Sequence, residues 1–268
     1  MERPRYIDWI VEETGITIKD GIPVKCYKID YKKDDTVLDE WALHIRRNYI
    51  EDGDLLSDAE GNGMSVEQYL HDYVIPQRDE HLGPTVRSGD ITEILVCDLL
   101  EFIFCYSVPR YKQKNRSGKN NSEHGTDVIA YKFFCDSKKP SEKDELIATE
   151  VKALLTSAGY DPLENAIIES KKDEQRLART IDHCRKRLKE LGHIEQSVEI
   201  SRFLLKPDNN YKLTYAAAGI SSRQVVDQEI ELSSSGEQLQ ISSNQEIFYI
   251  HGKKLMDLAH EIYERCKR

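Results

Sequence analysis

The chain has 268 residues, of which 39% are hydrophobic and 32% charged, and its formal net charge is −10. That is enough apolar material for the core of one large domain, on a polar chain for a globular protein. No apolar run reaches the roughly 18 residues of a membrane span, the opening MERPRYIDWIVEE lacks the pattern of a signal peptide, and six scattered cysteines without a CxxC pair argue against a zinc ribbon or disulfide framework.

In chain order, residues 22–31 read as a strand. Residues 38–50 read as a helix, with Trp41, Ile45 and Tyr49 at helical spacing. Residues 51–65 are turn-rich, and Ser65 opens a helix that stops before Pro76. From Ser88 the texture changes. Residues 88–104 are apolar on most sides and predict a buried helix. Residues 105–114 read as a strand, 115–124 as a polar loop, 126–134 as a strand, 135–144 as a turn and 146–155 as the next strand. A long helix follows over 163–191, ending near Gly192. Strands are expected over 197–205, 211–221 and 247–252, and a closing helix over 253–266. Most cysteines read as small apolar fillers in a reducing cytoplasm. The acidity sits at the front: residues 1–85 hold 19 acids and 10 bases, whereas residues 86–268 hold 29 acids and 28 bases. The later part therefore has room for basic patches despite the net charge.

One stretch carries chemistry. In ELIATEVKAL, residues 145–154, alternation places Glu150 and Lys152 on one strand face and Val151 on the other. Four (D/E)-x-K triplets occur: Asp30/Lys32, Asp136/Lys138, Glu150/Lys152 and Glu169/Lys171. Only Glu150/Lys152 lies inside an apolar strand that follows another strand bearing an acid, Asp127 in HGTDVIAY. If the two strands pair antiparallel, Asp127 and Glu150 approach each other. Two carboxylates held together repel unless a cation lies between them. Mg²⁺ (or Mn²⁺) suits such oxygen ligands, with the Val151 carbonyl as a third. The alternative is a strand-borne ion pair beside a turn aspartate. Glu93 is a further candidate ligand on the 88–104 helix; the plainer reading makes it part of a capping box with Asp90 as N-cap.

Two basic stretches could meet a phosphate backbone. The loop RYKQKNRSGKN, 110–120, carries Arg110, Lys112, Lys114, Arg116 and Lys119 with no acid. In the helix after the E-x-K strand, Lys172, Arg176, Arg179, His183 and Lys186 share one face, opposite the apolar face of Leu177, Ile181, Cys184, Leu188 and Leu191. For both, the alternative is a surface that meets only water. Lys171 and Gln175, near the start of that helix, are weaker polar candidates. His124 reads as a turn histidine and Gly125 as a source of backbone freedom.

The order helix–strand–strand–strand–helix–strand, with Asp127 on the second strand and Glu150-x-Lys152 on the third, resembles the PD-(D/E)XK nuclease superfamily. Thr126 stands where the name motif has proline. The phrase HGTDVIA before EVK, with the acidic front and the closing strand–helix, is similar to the HamA effectors of the Hachiman antiphage system. The resemblance implies an α+β fold with a restriction-endonuclease-like mixed sheet flanked by helices. It implies a nuclease domain over 86–268 and an acidic α+β extension over 1–85. Asp127 and Glu150 would bind Mg²⁺, joined by Glu93, and Lys152 would support hydrolysis of DNA phosphodiesters. The implied partners are DNA and a HamB-type helicase, with no membrane. The rivals are a catalytically silent binding or regulatory subunit and an RNA nuclease.

Overall fold

The computed structural model describes residues 2–18, 21–121, 125–135, 139–156, 161–204, 209–223, 225, 228–230, 232, 241–242 and 244–267. It is an α+β fold built on a mixed six-stranded sheet in the order β1-β4-β9-β7-β6-β5. These strands are β1 (Ile10–Glu13), β4 (Lys25–Ile29), β5 (Val128–Lys132), β6 (Glu145–Leu154), β7 (Lys212–Ser221) and β9 (Gln245–Gly252). β4, β9, β7 and β6 run parallel, and β1 and β5 pair antiparallel at the two edges. A small second sheet joins β2 (Thr17–Ile18), β3 (Ile22–Pro23) and β8 (Glu229–Ile230).

Parallel strands buried on both faces need helices on both. Helices α1 (Asp35–Tyr49), α4 (Gly83–Asp98) and α8 (Leu255–Arg265) cover one face. Helices α5 (Pro162–Ser170), α6 (Asp173–Glu190) and α7 (Ile194–Ser201) cover the other. β6 shows the alternation: Ile147 and Val151 enter the first core, and Leu146 and Ala148 the other. The 1–85 segment is woven into this frame. β4 forms a parallel pair with β9, and Trp41, Ile45 and Tyr49 of α1 share a core with Ile94 and Tyr263. Two short helices, α2 (Asp52–Gly61) and α3 (Val66–Tyr69), follow α1, and α3 runs on into a π-helical turn over Leu70–Val74. Ser65 and Gln68 form the capping box that starts α3. Among the described residues, no helix is long and apolar enough to cross a membrane.

Several local expectations are corrected. Residues 51–65, read as turns, contain α2, because Leu55 and Ala59 bury one turn apart. The helix expected from 88 begins at Gly83, since proline is tolerated in a first turn, as Pro84 is here. Asp90 is therefore not an N-cap. It lies two turns inside α4 and binds Tyr49 and Arg116. Residues 105–114 form no strand beyond one bridge between Ser107 and Tyr131. The single helix over 163–191 is broken at Lys171–Lys172 into α5 and α6. The strand expected over 197–205 is instead α7 and a 3₁₀ turn, because Ile200 and Phe203 pack on α6. Cysteines 26, 184 and 266 are buried fillers as expected, but Cys105 and Cys135 are exposed.

α5 packs tightly across β7 at Gly219. A Cβ there would lie 2.6 Å from the Leu163 Cα, a contact relieved only by moving backbone. Gly219→Ala is expected to cost about 1–3 kcal/mol, read as a lower urea midpoint with an unchanged slope.

Candidate active site

The 126–134 and 146–155 segments pair antiparallel as expected, in the register Val128↔Thr149. One step further along, Asp127 faces Glu150. β5 stops there, and the Asp127 side chain takes over from its backbone: Oδ2 accepts the Val151 N–H at 2.9 Å. In a strand, the N–H and C=O of one residue point to the same edge, so the Val151 carbonyl faces the Asp127 side as well. Gly125, at φ +121, starts this turn, and a Cβ there would meet Thr180 Oγ1 at 2.9 Å. Thr126, in the position of the motif's proline, donates its hydroxyl to Asp173 Oδ1 at 2.8 Å and so ties the start of β5 to α6. His124 lies outside the described residues, as do Asp136 and Lys138.

Glu150 and Lys152 share a face, and they pair: Lys152 Nζ lies 2.5 Å from Glu150 Oε1. The other oxygen, Oε2, accepts from Arg176 Nη2 at 2.5 Å. Arg176 is thus turned into the site, a role that helical spacing alone did not reveal. It also binds the fully buried Asp173 through Nε at 2.8 Å. Glu150 itself is only 3% exposed. Burial, then the Asp127 charge, push its pKa up, and the two cations oppose this. For Lys152, burial is the largest single influence and opposes the charge, but the Glu150 hydrogen bond and the charges of Glu150, Asp127 and Glu169 together outweigh it and lift the pKa.

Glu93 of α4 joins through a bridging ammonium. Lys112 Nζ lies 3.2 Å from Glu93 Oε2 and 3.3 Å from Asp127 Oδ1. Gln113 donates to the same Glu93 oxygen at 3.0 Å. Beside this group, a cleft of about 400 Å³ opens between α4 and the end of β6, lined by Glu93, Thr92, Lys152 and Leu154 among others. Glu93, Asp127 and Glu150 do not offer three oxygens all within 4.8 Å of one another: Glu93 and Asp127 share the Lys112 ammonium, while Glu150 is drawn to Lys152 and Arg176. As a donor set they nevertheless fit a hard divalent ion: all are carboxylates, and positive charge already sits between two of them.

Burial raises the Glu93 carboxyl to about 7, against the favourable pull of Lys112 and with the push of Asp127. An acid whose folded pKa lies above its unfolded value weakens the fold as the pH rises between the two. Glu93→Gln is therefore expected to match the parent in thermal stability near pH 4, below the unfolded carboxyl value, and to exceed it above pH 7, by up to about 3 kcal/mol for a shift of this size. Parallel melting series across that range check this.

The basic loop is corrected. Arg110 binds Asp98 and Glu101, Lys112 binds the site, Lys114 binds Glu51, Arg116 binds Asp90, and Lys119 binds Glu80. The side chains of Arg110, Lys112, Lys114 and Arg116 are 5–7% exposed. This is an internal strap of ion pairs, neither a solvated loop nor an outward clamp. By contrast, Lys172 at the N-cap of α6 and Arg179 on the helix are exposed, and Lys172 pairs with Glu169.

Fold and site together define a restriction-endonuclease-like α+β protein with a cluster of acids and bases at the end of its β5–β6 pair. A family model of HamA matches residues 4–266, nearly the whole chain, and the chain belongs to the HamA family. Membership gives it a role in antiphage defence, in the Hachiman system. A search of curated proteins found no match.

Proposed function

We propose that this HamA chain is a metal-dependent nuclease of the PD-(D/E)XK type that hydrolyses DNA phosphodiesters, as the effector subunit beside a HamB-type helicase. The observation that carries the reading is the meeting of Asp127 with Glu150 and Lys152 across the β5–β6 pair, with Glu93 brought in by Lys112. Asp127, Glu150, the Val151 carbonyl and Glu93 would hold Mg²⁺ or Mn²⁺. When bound, such an ion offsets phosphate charge and makes water a better nucleophile at neutral pH.

The chain's own groups do the rest. The Glu150 carboxylate favours the ammonium form of Lys152. In that form Lys152 would orient water and offset the phosphate charge. Arg176 holds the Glu150 carboxylate in place through Oε2. Lys172, just before α6, and Arg179 on it are exposed and would meet a nucleic-acid backbone.

A second reading, a catalytically silent regulatory subunit, is favoured by one feature: the carboxylates are already neutralised by Lys112, Lys152 and Arg176. The test incubates the chain, alone and with its helicase partner, with matched plasmid DNA and structured RNA, with and without Mg²⁺. Mg²⁺-dependent DNA cutting supports the proposal. Cutting of RNA alone reassigns the substrate. No cutting in any arm, with phage protection retained by a Glu150→Ala/Lys152→Ala variant, makes the silent subunit correct.

A further inference from the structure

Across the sheet from that site, three side chains of different chemistry meet. Glu13 ends β1, Cys26 lies on β4 and His251 on β9, three adjacent strands. Their ligand atoms all lie within 4.8 Å of one another, the one such group of histidine, cysteine and acidic side chains among the described residues. A single oxygen organises them: Glu13 Oε2 is 2.8 Å from His251 Nε2 and 3.8 Å from Cys26 Sγ. The sulfur contact is long and weak, so the thiol is not locked in place. The imidazole is held by Glu13 at Nε2 alone: His251 is 2% exposed, and its Nδ1 is buried without a partner.

We infer that Glu13, Cys26 and His251 form a metal site for a borderline divalent cation of the zinc class. One carboxylate oxygen, one thiolate and one imidazole nitrogen make a donor set that such an ion takes, and a fourth position stays open to water. It is not a hard-cation site, because thiolate and imidazole disfavour Mg²⁺. The site is separate from the candidate active site. Cys26 stands in the same row as Tyr249, Gly219 and Lys152, three strand spacings or about 14 Å from β6.

Cys26 and His251 are buried, while the Glu13 side chain is 33% exposed. The ion would reach the pair from solvent past Glu13, at the β1 edge. Binding requires the thiolate and a free nitrogen lone pair: Cys26 releases one proton to solvent, and the His251 proton moves to Nδ1. The bound ion would join two strands of the 1–85 segment to the closing strand β9, and stabilise the fold by mass action.

Co²⁺ is the probe, titrated into the metal-stripped full chain carrying Asp127→Asn so that the other acidic cluster contributes less. The expected result is a thiolate-to-cobalt charge-transfer band that saturates at about one equivalent, is bleached by Zn²⁺, and is accompanied by a higher melting temperature. Cys26→Ser is expected to remove the band. Glu13→Gln, at a partly exposed edge position that leaves the core intact, is expected to weaken binding by roughly 10–100-fold. Absence of the band in the chain with all three residues intact overturns the inference, whatever the variants do. So does a band that survives Cys26→Ser, or an affinity unmoved by Glu13→Gln.

Discussion

Glu150→Gln is expected to lower Mg²⁺-dependent DNA cleavage roughly a thousand-fold, about 4 kcal/mol of transition-state stabilisation, while the chain stays folded. The amide keeps the shape and one acceptor oxygen but loses the charge that a hard cation needs. It also leaves Lys152 with a neutral neighbour, whereas Arg176 retains Asp173. Both cations are about 30% exposed, so water screens the unpaired charge, and because burial and Asp127 already raise the Glu150 pKa the neutral amide is expected to shift stability by no more than about 1 kcal/mol. The measurement pairs initial cleavage rates with a melting curve. Full activity in the variant would remove Glu150 from the chemistry. Lost activity together with lost folding would be settled by Lys152→Met, which deletes the ammonium at a half-exposed position and is expected to give a comparable drop in rate.

Asp98→Ala is expected to be the most damaging single change to stability, at about 3–5 kcal/mol and a fall in melting temperature on the order of 10 °C. Asp98 is fully buried in α4. It accepts from the Tyr6 hydroxyl, from His44 Nε2 at 2.9 Å and from Arg110 Nη2 at 2.5 Å. Its removal leaves three donors without their common acceptor, although Arg110 keeps Glu101. Burial alone would raise the Asp98 pKa, but Arg110 and His44 outweigh it and hold the carboxyl below its usual value. Its contribution is therefore complete above about pH 4 and is lost as the pH falls through the folded pKa. The gap between parent and Asp98→Asn should close in acid. Melting curves at pH 3 and pH 7 decide this. The change should also reach the site, because Arg110 begins the strap that delivers Lys112 between Glu93 and Asp127.

Elements with an internal period were legible before any coordinates: α1, β5, β6, β7, β9 and α8 lie where their patterns predict. Elements whose local signals were ambiguous were not. Residues 197–205 alternate well enough to read as a strand, and only packing on α6 makes 197–204 helical. Residues 51–65 carry Gly53, Gly61 and several aspartates, which mask the Leu55–Ala59 spacing. For the site, spacing within one strand placed Glu150 and Lys152 together, and the succession of two strands in the chain let Asp127 be paired with them. The roles of Lys112 and Arg176 had no comparable signal. Both looked like bases that meet solvent or nucleic acid, and both point inward to carboxylates.

Local pattern singled out Glu150 and Lys152 on one strand face and Asp127 on the strand before it, because period-2 alternation constrains neighbours close along the chain; the family resemblance implied the α+β sheet that holds them. Folding decided which cations neutralise that site, why the 110–120 run is buried, and how Glu13, Cys26 and His251 meet. Those contacts join residues far apart in sequence, and the free energy of pairing buried charges depends on partners that no local window contains.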